Sequence, residues 1–310
     1  MGTIFVTGAT GVLGRASVAQ LLDSGHTVRA LARNDERAAV VAAVGAEPFV
    51  GNLYDVDDMK RAIAGIDAVM HLATRIPPFT RGWRASTWAE NTKLRETGTR
   101  VLVDAALANG VGRFVAESIS FIYRDGGSSW LDEHSPVEAS IAAMRPVIAL
   151  EHEVERFTAE GGAGIALRFG AFYGADARST DELLGLAKWK LAPALGAPDG
   201  YFSSIGTDDA GRAVAASVRA PAGVYNVVDD VPLTRREYAD AFAAAFGLGT
   251  LRILPTWMLK LGGAAAEAMM RSQRVSHAAF TGVTDWAPEH PSAVEGWKAV
   301  AAARRGGSRG

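Results

Sequence analysis

The sequence predicts an α/β fold: a Rossmann-type, doubly wound parallel sheet with a smaller, mainly helical domain attached. Three observations predict it. Over the first 117 residues, apolar runs of strand length alternate with helical patterns. The strand runs are apolar almost throughout, as strands covered on both faces must be. A glycine-rich turn, TGATGVLG, joins the first run to the first helix.

The elements follow in order. GTIFVTG is a strand, and VLGRASVAQLLDSG is a helix stopped by Gly25. HTVRALAR and AEPFVGNL are strands flanking the short helix DERAAVVAAVG, with Asp35 and Glu36 expected to cap it. DVDDMKRAIAG is a helix with Asp55 as its cap, and IDAVMHLA is the fourth strand. A long helix is expected from Arg84 to Asn109, then the strand GRFVAES. Beyond residue 117 the rhythm changes to a polar loop, YRDGGSSWLDEHSP, then AAMRPVIALEHEVERF and the strand GIALRFGAFYG. Residues 175–205 hold prolines and glycines and are expected to form excursions. GVYNVVDD is a late strand, and PLTRREYADAFAAAFG is a helix opened by the capping box Thr234–Glu237. Residues 255–281 are expected to be helical and apolar. These patterns divide the chain into a dinucleotide-binding unit, 1–174 completed by 203–230, and a substrate domain, 175–202 and 231–302, with 303–310 a flexible tail.

Composition narrows the function. The net charge of −2 provides no field for nucleic acid or an anionic membrane. With no cysteine, thiolate catalysis and thiolate metal sites are excluded, and none of the six histidines forms a helical metal pair, so no metal is expected. No segment approaches the length of a membrane span. The expectation is a cytoplasmic protein with a small-molecule substrate, no nucleic-acid or membrane partner, and room for a homodimer.

TGATGVLG carries the chemistry. Gly8 permits the tight turn, Gly11 lets backbone approach a pyrophosphate, and Gly14 lets helix and strand pack closely. Thr10, Val12 and Leu13 fill out the loop, whose free N–H groups and helix dipole attract an anion. An NAD site usually ends its second strand with an acid for the ribose 2′-OH. Here Ala32 and Arg33 stand there, and an arginine suits a 2′-phosphate, so NADP is expected over NAD. Arg15 and Arg37 are candidates to add charge.

In these motifs the chain resembles an extended short-chain dehydrogenase/reductase of the NAD-dependent epimerase/dehydratase family. GNLYD is similar to the family's adenine-contacting segment and implicates Asn52 and Leu53. MHLAT is similar to its fourth-strand end and implicates the backbone of Leu72, Ala73 and Thr74. Asn91 matches the family asparagine, and LRFGAFYG resembles the segment that cups the nicotinamide carboxamide, implicating Phe169, Gly170 and Phe172. The resemblance implies a cofactor cleft between the two domains, with a strand-end serine, here Ser118 or Ser120, orienting substrate or lining the cofactor.

The family's acid–base pair, Tyr-x-x-x-Lys, is absent. The pairs available in AAMRPVIALEHEVERF are Ala142/Pro146, Ala143/Val147, Met144/Ile148 and Arg145/Ala149, and no tyrosine anywhere is followed four residues on by lysine. The segment is still a helix: Val147, Leu150, Val154 and Phe157 form an apolar stripe, Pro146 marks its first turn, and Glu151, Glu153 and Glu155 are expected in solvent. The residues left to supply a proton are Ser118, Ser120 and Tyr123. Arg145 is a candidate substrate anchor, His152 a surface histidine, and Trp83, Trp88 and Trp130 candidate pocket walls. Three readings follow: an atypical NADP-dependent oxidoreductase acting on a small carbonyl or hydroxyl compound, a non-catalytic cofactor sensor or scaffold, and an epimerase or dehydratase.

Overall fold

The computed structural model describes residues 1–78, 84–259 and 263–307. In chain order the first half contains β1 (Thr3–Thr7), α1 (Val12–Asp23), β2 (Thr27–Ala32), α2 (Asp35–Ala43), β3 (Glu47–Val50), α3 (Val56–Ile63), β4 (Ala68–His71), α4 (Ala89–Lys93), α5 (Thr99–Ala108) and β5 (Arg113–Ile119). There follow β6 (Trp130–Leu131), α6 (Arg145–Ala159), β7 (Ala163–Phe169), β8 (Ala171–Tyr173), α7 (Arg178–Ala187), β9 (Tyr201–Phe202), β10 (Ser204–Gly206), α8 (Thr207–Ala216) and β11 (Gly223–Val227). The chain closes with β12 (Leu233–Thr234), α9 (Arg235–Ala245), α10 (Thr256–Leu259), α11 (Gly263–Met270), β13 (Arg274–Val275), α12 (Ala278–Val283) and α13 (Ala293–Gly307).

Seven strands form one parallel sheet in the order β3-β2-β1-β4-β5-β7-β11. The order reverses between β1 and β4, which opens a crevice at their carboxyl ends. The register sets Thr7 beside His71, His71 beside Ala116 and Ala116 beside Ala166, so those ends come level. One face of the sheet packs on α1, α8 and α12 through Leu13, Val18, Val214 and Phe280. The other packs on α3, α5 and α6 through Met59, Leu102, Leu150 and Phe157. A third core, around fully buried Trp297, joins α9 and α13 to Tyr173 and Phe202.

Local signals explain most boundaries. Asp55 caps α3, and Thr234 with Glu237 forms the reciprocal box at α9. α6 begins at Arg145 with Pro146 in its first turn, where proline loses no hydrogen bond. At α2 the cap is Asn34, whose side chain accepts from the Arg37 N–H; Asp35 and Glu36 lie inside the first turn.

Four expectations need correction. The long helix is interrupted: a 3₁₀ turn precedes α4, and residues 94–98 between α4 and α5 form a π-helical turn. Such turns shift the side-chain register, which here turns Arg95 inward. The 175–205 excursion contains a helix, α7. In the 255–281 stretch β13, which pairs with β6, separates α11 from α12. The final helix runs to Gly307, into the segment expected to be a tail, because Arg304 holds it to the Ala175 carbonyl and Asp181. Among the described residues no helix is long and apolar enough to cross a membrane.

Candidate cofactor cleft and its reactive end

The glycine loop and the carboxyl ends of β1, β2 and β4 enclose a cleft of about 520 Å³. Gly8 has φ 80°, and a Cβ there would sit 2.6 Å from the Leu72 carbonyl oxygen. A Cβ on Gly14 would overlap the Gly8 carbonyl oxygen. α1 starts with Gly11 as its cap and no side chain satisfies its first turn, so those N–H groups remain available to an anion. Thr10, Gly11, Val12, Leu13 and Gly14 all line the cleft. The loop therefore fits a dinucleotide pyrophosphate. A larger depression, about 1170 Å³, lies at the amino ends of β1, β4 and β5 beside Gly2, Asp67 and Arg113, and it includes none of the loop's glycines.

One end of the cleft is bounded by Leu31, Ala32, Arg33, Arg37, Asn52, Leu53 and Tyr54. Among the described residues neither Arg33 nor Arg37 has an ion-pair partner. Arg15 is instead held by Asp176 at 2.5 Å and by the Thr10 carbonyl. The Asn52 side chain accepts from the Tyr54 N–H, and the Tyr54 hydroxyl donates to Glu90 at 3.2 Å. Lys93 lies 3.8 Å from the Tyr54 ring centre. Burial first, and Glu90 second, push the Tyr54 phenol up to about 12.

The other end is bounded by Leu72, Ala73, Thr74, Leu94, Glu117 and Phe172. Glu117 is buried and meets equally buried Arg95: the guanidinium donates to both carboxylate oxygens, at 3.1 and 3.2 Å, and to the Glu117 carbonyl at 2.9 Å. His71 bridges Thr7 Oγ1 at 2.7 Å and the Leu94 carbonyl at 3.3 Å, and burial lowers its pKa to about 4. Sequence reasoning missed Glu117 and Arg95; a charged residue in an otherwise apolar strand was the available signal.

Several expected site residues stand elsewhere. Asn91 supports the cleft wall from behind, its side chain accepting from the Arg75 N–H, and is absent from the lining. Phe169 is buried behind Phe172, with ring centres 5.3 Å apart, and only Phe172 reaches the cleft. Gly170 packs against the Ser203–Ser204 backbone, where a side chain would not fit, and likewise does not line it. Ser118 faces α6 and donates to Glu151 at 2.6 Å, because a carboxylate there is the stronger acceptor. Ser120 opens a 3₁₀ turn, so the strand alternation expected to align it with Ser118 ends at Ile119; its buried hydroxyl has no partner among the described residues.

Tyr123 is fully buried, donates to Asn226 at 2.7 Å and accepts from Arg168 at 2.9 Å. Burial pushes its phenol up to about 12 even with Arg168 opposing, and enclosed this way it cannot touch a substrate. Glu151, expected in solvent, is instead drawn into a two-point ion pair with Arg168, at 2.8 and 2.7 Å.

The helix edge where the acid–base pair would stand is a packed apolar wall. Val147 and Met144 are buried, Ala143 and Ile148 half-buried, and Ile141 and Met144 pack on Ala268 of α11. Arg145 and His152 are exposed. Trp130 is half exposed beneath the Arg274 guanidinium, and Trp88 is half-buried, while Trp83 lies outside the described residues. Among the described residues no cluster of side chains could hold a metal ion.

A Rossmann sheet with this loop at its switch point defines a dinucleotide-binding protein. A family model described as NAD(P)H-binding matches residues 8–162, and the chain belongs to that family. It is 32% identical over 305 residues to a Streptomyces protein named 3-diazoavenalumate denitrifying reductase, covering 94% of this chain and 98% of that one. It is 26% identical over 283 residues to an epimerase family protein of Mycobacterium leprae, with 89% of each chain covered. Among solved structures, human epimerase family protein SDR39U1 with NADPH superposes with a TM-score of 0.80 at 20% identity, covering 97% of this chain and 99% of that one. Thermus thermophilus UDP-glucose 4-epimerase with NAD gives 0.79 at 20%, covering 98% and 99%. At these identities the two structures speak to the fold alone.

Proposed function

We propose that this protein is an NADPH-dependent reductase that delivers hydride to an electron-poor small molecule without lending it a proton. The observation that carries this reading is the pairing of an intact phosphate cradle with an apolar wall at Ala143, Met144, Val147 and Ile148. Reducing a carbonyl leaves an alkoxide that a positioned acid normally protonates, a contribution of roughly 10²–10⁴-fold. An epimerase needs a base in the same place. Tyr123, Ser118 and Ser120 are buried and outside the cleft lining, so they do not replace that group.

An acceptor that needs hydride alone fits better. An aryl diazonium ion is one: hydride and the cation combine, dinitrogen leaves, a C–H bond replaces the C–N bond, and no proton enters. The Streptomyces relative's name, a reductase of a diazo compound, supports this acceptor class. The hydride chemistry belongs to the cofactor; the chain's part is to bind it, align it and exclude water. Arg33 and Arg37, without carboxylate partners at the cleft rim, support NADPH over NADH.

The test is tryptophan-fluorescence titration with NADPH and NADH, followed by turnover with an aryl diazonium salt and with ketones. NADPH should bind about tenfold or more tightly than NADH, and Arg33→Glu should abolish that preference. With cofactor deuterated at the transferable position, deuterium should appear on the arene carbon. Turnover of ketones but not diazonium salts would overturn the acceptor class; binding without turnover of either would favour a sensor.

A further inference from the structure

The Arg95–Glu117 pair is not required by the sheet. Both groups are buried, both come from segments that could hold apolar residues, and removing two charges from water is costly. Its orientation is informative. Glu117 lines the cleft and Arg95 does not, so of the two partners it is the acidic residue that borders the cavity. The negative end of the pair faces the same space as Phe172 and Leu94, opposite in the cleft to Arg33 and Arg37. The π-helical turn at Leu94–Gly98 brings Arg95 into this position, and the Leu94 carbonyl, which accepts from His71 Nε2, anchors that turn. Arg33, Arg37, Arg75 and Glu90 are the other charged side chains among the described residues lining the cleft.

We propose that Glu117, held by Arg95, is an electrostatic positioning residue that stabilises the oxidised, positively charged nicotinamide and so drives hydride out of the cofactor. Hydride loss converts a neutral dihydropyridine ring into a pyridinium cation. A fixed carboxylate in a water-poor cleft interacts more strongly with the cation than with the neutral ring, and only such a differential interaction changes the equilibrium between the two forms. The inference rests on the reading above that the nicotinamide occupies this end of the cleft.

The experiment measures binding, independently of turnover. Dissociation constants for NADP⁺ and NADPH are determined by fluorescence at pH 8 for the wild type, Glu117→Gln, Arg95→Met and the double variant. Glu117→Gln should raise the ratio of the NADP⁺ constant to the NADPH constant by about tenfold. Arg95→Met removes the partner that keeps the buried carboxylate ionised, so burial favours the protonated acid and the ratio should rise as it does in Glu117→Gln. The double variant replaces the buried ion pair with a neutral one, keeps the fold if a single change does not, and should also raise the ratio. A ratio within about twofold of wild type in Glu117→Gln or the double variant, with NADPH still bound, overturns this inference and leaves the proposed function standing. If the wild type binds neither form, both fall.

Discussion

The two ends of one cleft are built by different means. At the phosphate end the ligand surface is backbone: Gly8, Gly11 and Gly14, with the open first turn of α1. At the reactive end it is side chains from β5, β8 and the π-helical turn: Glu117, Phe172 and Leu94. Behind it, Glu151 and Arg168 lock α6 to β7, beyond the apolar edge where the family would keep its acid–base pair. A backbone site tolerates few sequences and persists. A side-chain site depends on each residue type, and here the α6 edge holds a packed wall rather than a gap.

The largest expected effect tests the phosphate end. Gly14→Val places a side chain against the Gly8 carbonyl, so NADPH affinity should fall at least about hundredfold in a titration. An unchanged affinity would break the claim that this end binds through backbone. The next tests the network behind the reactive end. Glu151→Ala strands Arg168 in a buried site and should cost about 3–5 kcal/mol in urea unfolding, while the double replacement Glu151→Met with Arg168→Met should cost much less. If Glu151→Ala instead keeps full stability and loses cofactor affinity, the network belongs to the cleft and the contrast fails.

The third links the two ends through His71. Burial holds its pKa at about 4 in the folded chain, against 6.5 for the free side chain. The unfolded chain therefore takes up a proton as pH falls below about 6.5 and the folded chain does not until about pH 4. Stability should drop across that window by about 3 kcal/mol, and His71→Gln should flatten this part of the slope in urea midpoints taken at several pH values. Equal slopes would show that His71 is not held neutral. The smallest effect is at the cap of α9: Thr234→Ala should cost about 1 kcal/mol, read from the same unfolding curves.

Much of the cleft was legible in the sequence because its requirements are local. A glycine that must avoid a clash, a strand that must be apolar on both faces and a missing Tyr-x-x-x-Lys are all visible within a few residues of chain. Thr10, Leu53, Leu72, Ala73 and Thr74 line the cleft because each follows directly from a strand end or the loop itself. Asn91, Phe169 and Gly170 stand outside the cleft lining, because a motif match fixes a position along the chain, not the direction of a side chain. Ser118 and Tyr123 were read as chemical groups because their sequence neighbours suggested a strand end; Glu151 and Arg168, 33 residues from Ser118 and 45 from Tyr123, are what engage them.

By itself, the sequence determined the parallel sheet, the phosphate cradle, the absence of cysteine chemistry and the absence of the acid–base pair. These depend on residue type, short spacing and alternation, which a linear reading preserves. Only the tertiary structure decided what replaced the pair. Burial and pairing are properties of residues far apart in the chain, so the apolar wall at α6, the Glu151–Arg168 lock and the Arg95–Glu117 pair at the reactive end emerge only when α6, β7, β5 and the π-helical turn are brought together.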